Sequence, residues 1–600
     1  MKKFIVAVLV SIGAVALGLV AILLVGSFFL FTPERLPQDV VLEVDLERGM
    51  VERMPEDPFL AYLDRDRLVV RDVVDALDQA REDDRVHGVL VRVGAGDLGL
   101  ARVEELRDAV ERFRESGKPT VLFSETFGEM APGFGGYHLA TAFGEVVLQP
   151  SGDVNVTGLA AEQPFLRGAL DSLGVEPRLD RREEYKSAAD IFLESEFTEA
   201  NREATGAVLE SIFGEIVQGT AEARDRDPEE VRELFSRGPF MAEEALDEGL
   251  VDRLAYREEA RDLLREGAPE GVSPDDVSFV APGRYLQQAG RPHTQGPDVA
   301  LIHAVGPILR GPEQYDPVFG DQTVGSETVS RAFRRAVEVE EVDAILFRVD
   351  SPGGSYPASD VIRRAVQEAR EADVPVVVSM GNAAASGGYL ISTDADRIVA
   401  HPTTFTGSIG VAGGKLVLEG FLERLGVEVD HVDVGGNSGM WSPFRDYTDA
   451  EWERHQANLD RIYDEFVEKV ADGRGMTRSE TQDVAGGRVW TGRDAYERGL
   501  VDELGGFSTA LAAVREELEI DEDAPVNVQL MPRPRTFLEL VWEEGRVDLA
   551  LARLSGGDAT GRTLEALRPA MDVARRMGLV EEPGPVMAPD PGFPAGENSR

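Results

Sequence analysis

Val86-His87-Gly88-Val89-Leu90-Val91-Arg92-Val93 and Val342-Asp343-Ala344-Ile345-Leu346-Phe347-Arg348-Val349 are one strand pattern written twice, at an offset of 256. Working outward from this pair, Gly135-Gly136-Tyr137 matches Gly387-Gly388-Tyr389 and Leu173-Gly174-Val175-Glu176 matches Leu425-Gly426-Val427-Glu428, both at 252. Gly249-Leu250-Val251-Asp252 matches Gly499-Leu500-Val501-Asp502 at 250. Ordered matches that drift only by small indels make the chain a duplicated α/β unit, roughly 38–290 and 297–530. In the second unit, 344–349 and 374–379 read as buried strands with 359–371 as the helix between them, a βαβ pattern with a largely parallel sheet. Beyond it, 531–580 is predicted to hold helices, at 536–546 and 563–577, and the Pro- and Gly-rich stretch 581–600 reads as disordered.

A chain of 600 residues is too long for one core, and 42% hydrophobic with 29% charged residues is a globular balance. Cysteine is absent, which excludes disulfides, thiolate metal sites and a cysteine nucleophile. With 62 basic against 110 acidic residues the net charge is −48, so the chain repels phosphate backbones and nucleic acid is excluded as a partner. Lys2-Lys3 precede an uncharged run, 4–33, longer than the roughly 20 residues that span a bilayer. The run ends in Phe28-Phe29-Leu30-Phe31 rather than at a small-residue cleavage site, so 1–37 is predicted to be a cytoplasmic stub and a retained transmembrane anchor. The positive-inside rule puts everything after it on the outer side.

Two stretches of the second unit suit chemistry. Val349-Asp350 runs into Ser351-Pro352-Gly353-Gly354, where glycines let backbone N–H groups face a ligand as an oxyanion hole requires; an ordinary tight turn is the other reading. Ala383-Ala384-Ala385-Ser386-Gly387-Gly388-Tyr389 puts Ser386 at a helix start behind small residues, as an accessible nucleophile or as a plain N-cap. Seven scattered histidines, with neither HExxH nor GxSxG, give a His-based triad little support; His303 and His401 read as core or loop residues. Lysines are few: Lys2, Lys3, Lys118, Lys186, Lys415 and Lys469. The first two lie across the membrane, Lys118 sits in a turn and Lys469 on a polar helix face. Lys415 and Lys186 remain.

AAASGGYLIST, SPGGS, TFTGSIGV and EYKSA together resemble the signal peptide peptidases of the protease IV type, with two repeats and an N-terminal anchor. The resemblance implies tandem Clp-protease/crotonase-like units, a serine–lysine dyad and no metal or other cofactor. It implies Ser386 as nucleophile, Lys186 as general base, Ser408 as the residue orienting the lysine, and Gly353 or Gly354 as oxyanion donor. Hydrophobic peptides, such as signal peptides left in the bacterial inner membrane, are the implied substrates, and a homotetramer the implied assembly, with the catalytic part on the periplasmic side. A catalytically silent membrane scaffold and a crotonase-like acyl-CoA enzyme are the rivals.

The repeat tests this assignment. At the 252 offset Ser386 falls on Phe134, Lys186 on Ser438 and Ser408 on Val156, while Gly353-Gly354 fall on Asp97-Leu98 at 256. Each half lacks what the other carries, so a single composite site is expected. A lysine near 10.4 must lose roughly 3–5 kcal/mol of ammonium stability to work as a base near pH 7–8. Lys186 is therefore expected to be buried, with Glu183, Glu184 and Asp190 pointing elsewhere.

Overall fold

The computed structural model describes residues 36–533 apart from 56–59, 62–63, 95, 97 and 317–320. The anchor expected at 4–33, the helices at 536–546 and 563–577 and the tail from Glu581 lie outside the described residues. Among the described residues no helix is long and apolar enough to cross a membrane. One compact unit comprises Met1–Arg53 with Asp66–Met531 and holds both repeats; Met54–Arg65 with the chain from Pro532 form another, of which only a few residues are described.

Alternating β-branched runs and amphipathic helices give two mostly parallel sheets. The first has the order Arg253–Leu254, Glu145–Leu148, Thr120–Ser124, Val86–Val93, Val40–Asp45, Ser278–Val280, all parallel. The second runs Val489–Thr491, Phe405–Gly407, Val376–Ala385, Ala344–Ser351, Asp298–Val305, Asn527–Met531, with Arg397–Ala400 also on Val376–Ala385 and Glu503–Leu504 beyond it. Only Val489–Thr491 is antiparallel to its neighbour in this sheet. Successive strand residues point to opposite faces, so both faces are packed: Ile345, Phe347 and Val349 enter one apolar layer, Ala344 and Leu346 the other.

The duplication reaches individual bonds. Tyr137 Oη donates to Leu250 O at 3.0 Å, and Tyr389 Oη to Leu500 O at 2.9 Å. The Val146 N–H meets Asp252 Oδ2 and the Ile398 N–H meets Asp502 Oδ2, each at 2.8 Å. Each repeat carries one 26-residue helix, Glu199–Arg224 and Asp449–Arg474.

Four element boundaries differ from the sequence reading: the strand expected at 344–349 runs on to Ser351, the one expected from Val374 begins at Val376, and two more shift further. The helix expected from Ser359 starts at Tyr356, because Pro357 sits in the first turn, where its missing N–H costs nothing. The strand expected to end at Ser379 continues to Ala385 across a bulge: Val349 pairs with Met380 but Ser351 with Ala384. The Asp350 carboxylate fills the bulge, accepting the Ala383 N–H at 3.0 Å. Asp350 thereby braces the strand that leads to Ser386.

Two of the contacts that join the repeats bear directly on the site. Glu176–Arg181 of the first pairs antiparallel with Ala412–Val417 of the second. A buried ionic cluster forms the other link: Arg348 donates to Glu52 (3.0 Å) and Glu105 (3.2 Å), and Arg102 to Glu52 (2.9 Å) and Asp350 (2.7 Å). The flanking guanidinium groups hold the fully buried Glu52 down at about 2 against the opposing effect of desolvation.

Candidate active site

Ser386 stands between the end of Val376–Ala385 and the short helix Gly387–Leu390. Its φ of 55° and ψ of −117° lie where L-residues pay a steric penalty, and Phe134, its counterpart in the first repeat, is not among the positive-φ residues. The Ser386 side chain makes no capping hydrogen bond, which removes the N-cap reading. The Ser386 N–H is held by Gly407 O at 2.8 Å. Two glycines make the strained turn possible. A Cβ on Gly353 would lie 2.6 Å from Gly387 N and 2.9 Å from Ser386 Cβ; one on Gly388 would lie 2.5 Å from Ser351 O.

Lys186 arrives from the other repeat. The strand pair Glu176–Arg181 with Ala412–Val417 carries the chain across the junction, Arg182 N continues it onto Val411 O (2.9 Å), and four residues later Lys186 is buried. Its Nζ lies 3.0 Å from Ser386 Oγ, 2.9 Å from Ser408 Oγ and 2.8 Å from Ser408 O. Burial alone lowers its pKa from 10.5 to about 8. The nearby carboxylates do not offset this. Glu183 and Glu184 are exposed, and Asp190 is buried against Arg181. The stem is gripped by backbone: a Cβ on Gly410 would lie 3.2 Å from Lys186 Cδ, and one on Gly487 2.5 Å from Lys186 N.

Ser408 also has a positive φ, 51°, and its N–H donates to Arg488 O at 2.7 Å. Of the glycine pair, the Gly353 N–H is turned to Ser351 Oγ at 3.2 Å, while the Gly354 N–H has no hydrogen bond among the described residues. The Gly387 N–H, first in its helix, has none either. Gly354 N lies 3.2 Å from where a Cβ on Gly387 would stand. The two glycines that carry the open N–H groups therefore adjoin each other next to Ser386.

The structure thus brings Ser386, Lys186, Ser408, Gly353 and Gly354 together. Their counterparts in the opposite repeats form nothing of the kind: Phe134 of the first is packed edge-on against Phe213 and Phe235 and Val156 is buried in its core, while Ser438 of the second is exposed. Asp97 lies outside the described residues. The remaining described lysines are engaged elsewhere: Lys118 on Ala80 O and Asp83 O, Lys415 on Met440 O above the Tyr447 ring, Lys469 on Asp360. His401 is paired with Glu105 at 3.2 Å, and burial depresses His303 to about 3. Sequence reasoning missed Gly387 as a donor and Gly410 and Gly487 as the clamp on Lys186. Their signal was weak: each belongs to a short glycine motif, and glycine pairs are frequent in this chain.

Residues 112–269 and 368–521 match peptidase family S49. Protease 4 of Salmonella typhi is 34% identical over 457 residues, 74% of this chain and 71% of its own. The chloroplastic serine protease SPPA of Arabidopsis thaliana is 31% identical over 467 residues, 77% of this chain and 67% of its own. A putative signal peptide peptidase SppA of Enterococcus faecium is 33% identical over 205 residues, 34% of this chain and 60% of its own.

Proposed function

The chain belongs to peptidase family S49 and is a serine protease with two S49 repeats, and from this we propose a membrane-anchored endopeptidase that works through a Ser386/Lys186 dyad. One observation carries the reading: a buried amine with its pKa lowered to about 8, facing no carboxylate, lies 3.0 Å from a hydroxyl held in strained backbone.

A neutral Lys186 has two N–H bonds and one lone pair. Ser408 O and Ser408 Oγ take the N–H bonds, at 2.8 and 2.9 Å, so the lone pair is left facing Ser386 Oγ. When Ser386 Oγ bonds to the scissile carbonyl carbon, its proton passes to Lys186 Nζ and the carbonyl oxygen becomes an oxyanion. The Gly354 and Gly387 N–H groups receive that oxyanion. The Lys186 ammonium then protonates the departing amine as the peptide bond breaks, and water, deprotonated by the same amine, releases the acyl group from Ser386. Both repeats are proposed as Clp-protease/crotonase-like units.

The substrates proposed are hydrophobic peptides, signal peptides among them. Supporting this are the name of the Enterococcus faecium relative and the apolar run 4–33, which as an anchor puts the site beside the bilayer where such peptides lie. With Lys2-Lys3 in the cytoplasm, the repeats stand on the periplasmic side of a bacterial inner membrane, and the assembly is proposed as a homotetramer.

The test is Ser386→Ala in the full-length protein in detergent, assayed on an apolar peptide, with the folded state followed by circular dichroism. Turnover should fall by at least about 10³-fold. Equal turnover by a folded Ser386→Ala protein would refute the dyad.

A further inference from the structure

Tyr185 and Arg488 flank the dyad without a part in the proton transfer. Between the two loops that make the site runs Gly486-Gly487-Arg488. Gly486 O accepts the Tyr185 N–H at 3.2 Å, one residue before the base. The Gly487 N–H donates to Ile409 O at 2.8 Å, and Arg488 O accepts the Ser408 N–H at 2.7 Å. Three consecutive residues thus hold the backbone of the first repeat beside Lys186 and that of the second at Ser408.

The Arg488 side chain makes the same bridge again. Its guanidinium donates both arms to the Glu203 carboxylate, at 2.7 and 2.9 Å, on helix Glu199–Arg224 of the first repeat. The hydrogen bonds and charge of Arg488, and then a hydrogen bond from Tyr185, hold the Glu203 carboxyl below its ordinary range. Arg488 Cζ also lies 5.0 Å from the centroid of the Tyr185 ring and 4.4 Å from that of Trp490. Trp490 stands behind the nucleophile. Its strand, Val489–Thr491, pairs with Phe405–Gly407, and a Cβ on Gly407 would come 2.8 Å from Trp490 Cδ1. Gly407 O is the acceptor that holds the Ser386 N–H. One arginine therefore touches the residue before the base and the residue that backs the anchor of the nucleophile.

An exposed ion pair alone would do little. The Arg488 side chain is only 16% exposed, and a planar guanidinium fixed by a two-armed pairing and laid on two rings is a rigid spacer. The duplication points the same way. At the 250 offset Arg488 falls on Gly238, so the repeat without the nucleophile has no side chain at this place.

We propose that Arg488 is a positioning residue of the dyad: held by Glu203, it keeps the loop that carries Lys186 closed on the strand that leads to Ser408 and anchors Ser386. It touches no reacting atom. The inference deepens the Ser386/Lys186 reading and rests on it. Lys186 is a base because it is dry: desolvation alone lowers its pKa to about 8, with no charged group among the causes. Loss of the stack frees the loop at Tyr185, lets water reach the amine and returns its pKa towards 10.5. The signature is a moved inflection as well as a lower rate.

Profiles of kcat/KM against pH on an apolar peptide test this, with the full-length protein in detergent and its folded state followed by circular dichroism. The wild type should bend near pH 8. Arg488→Ala and Tyr185→Ala should each bend about one unit higher, with kcat/KM about tenfold below wild type at pH 7 and within about threefold at pH 10. Tyr185→Ala removes no cation, so its shift cannot come from a lost charge. Glu203→Gln, at an exposed site, loosens the same clamp without entering the core and should also move the bend upward. Tyr185→Phe keeps the ring and should bend with the wild type. The Arg488→Ala/Tyr185→Ala double variant should shift no further than either single one, because the two side chains act as one unit. Arg498→Ala is the control. It removes the cation 4.0 Å from the Trp490 ring, which bonds to Asp494 of its own repeat, and should leave the inflection in place. An unmoved inflection in folded Arg488→Ala, Tyr185→Ala or Glu203→Gln overturns the proposal, as do additive shifts in the double variant or an equal shift in Arg498→Ala. The two readings fail separately: a wild-type profile with no bend near pH 8 removes the dyad, whereas a wild-type bend shared by the folded variants removes only the role of Arg488.

Discussion

The lysine base fixes how the rate should depend on pH. With the pKa of Lys186 at about 8, the neutral fraction is about 1% at pH 6, 9% at pH 7, half at pH 8 and 91% at pH 9. At its ordinary 10.5, the neutral fraction at pH 7 would be about one in 3,000, so burial raises the supply of base about 300-fold. kcat/KM on an apolar peptide should climb about tenfold per pH unit below 7, bend at 8 and level off above 9. Lys186→Arg should be inactive throughout, since a guanidinium does not deprotonate. The same shift has a sign in stability. Below pH 8 both folded and unfolded chains hold the proton, and the folded state carries the full penalty of burying it, about 3 kcal/mol. Between 8 and 10.5 only the unfolded chain still binds that proton, so the penalty fades as pH rises. Lys186→Met should therefore gain more over wild type at pH 7 than at pH 10, by urea unfolding. A profile flat from pH 6 to 9, or still rising tenfold per unit beyond pH 9.5, refutes the buried-base reasoning.

Ser408→Ala removes one of the two acceptors that aim the lone pair of Lys186; kcat at plateau pH should fall about tenfold for a lost hydrogen bond, and the inflection should not move up, because the lost oxygen favoured the ammonium. Gly487→Ala puts a methyl 2.5 Å from Lys186 N at a φ of 79°, so the lysine must shift; turnover should drop more than tenfold while circular dichroism stays native. Phe134→Ser, which writes a serine at the first repeat's equivalent of Ser386, should create no second site, detectable as unchanged stoichiometry of active-site labelling, and should lower stability by about 3–5 kcal/mol by emptying an aromatic cluster.

The duplication could be read from the chain because its repeated strands are buried on both faces and so keep their apolar spelling, as in Val86–Val93 and Ala344–Ser351. The nucleophile and base were named through the resemblance to the protease IV type; the rarity of lysine had narrowed the base to Lys186 and Lys415, and the repeats, each lacking what the other carries, agreed with one composite site. Three things were hidden. The strand carrying Ser386 looked finished at Ser379, because the bulge at Gly381-Asn382 breaks the alternation and its stabilising carboxylate, Asp350, comes from a different strand. Gly353 and Gly354 look alike in sequence, and only the Ser351 hydroxyl separates them, by engaging one N–H. Gly410 and Gly487 contact Lys186 across more than 200 residues of chain, a separation no local pattern encodes.

The junction between repeats is also the physically sensible place for such a base. A lysine deprived of water inside one repeat's own core would tax the folding of that repeat by about 3 kcal/mol with nothing nearby to offset it. At the junction the same desolvation happens only as the repeats close, and closure brings its own compensation: the Glu176–Arg181/Ala412–Val417 strand pair and the Arg348, Glu52, Glu105, Arg102 and Asp350 cluster. The two links act at different points. The strand pair sets where Lys186 enters, and Asp350, held by Arg102 of the first repeat, braces the strand that presents Ser386. A base formed by docking is thus neutral only where its nucleophile is already in place, which couples the activation of Lys186 to the correct assembly of the site it serves.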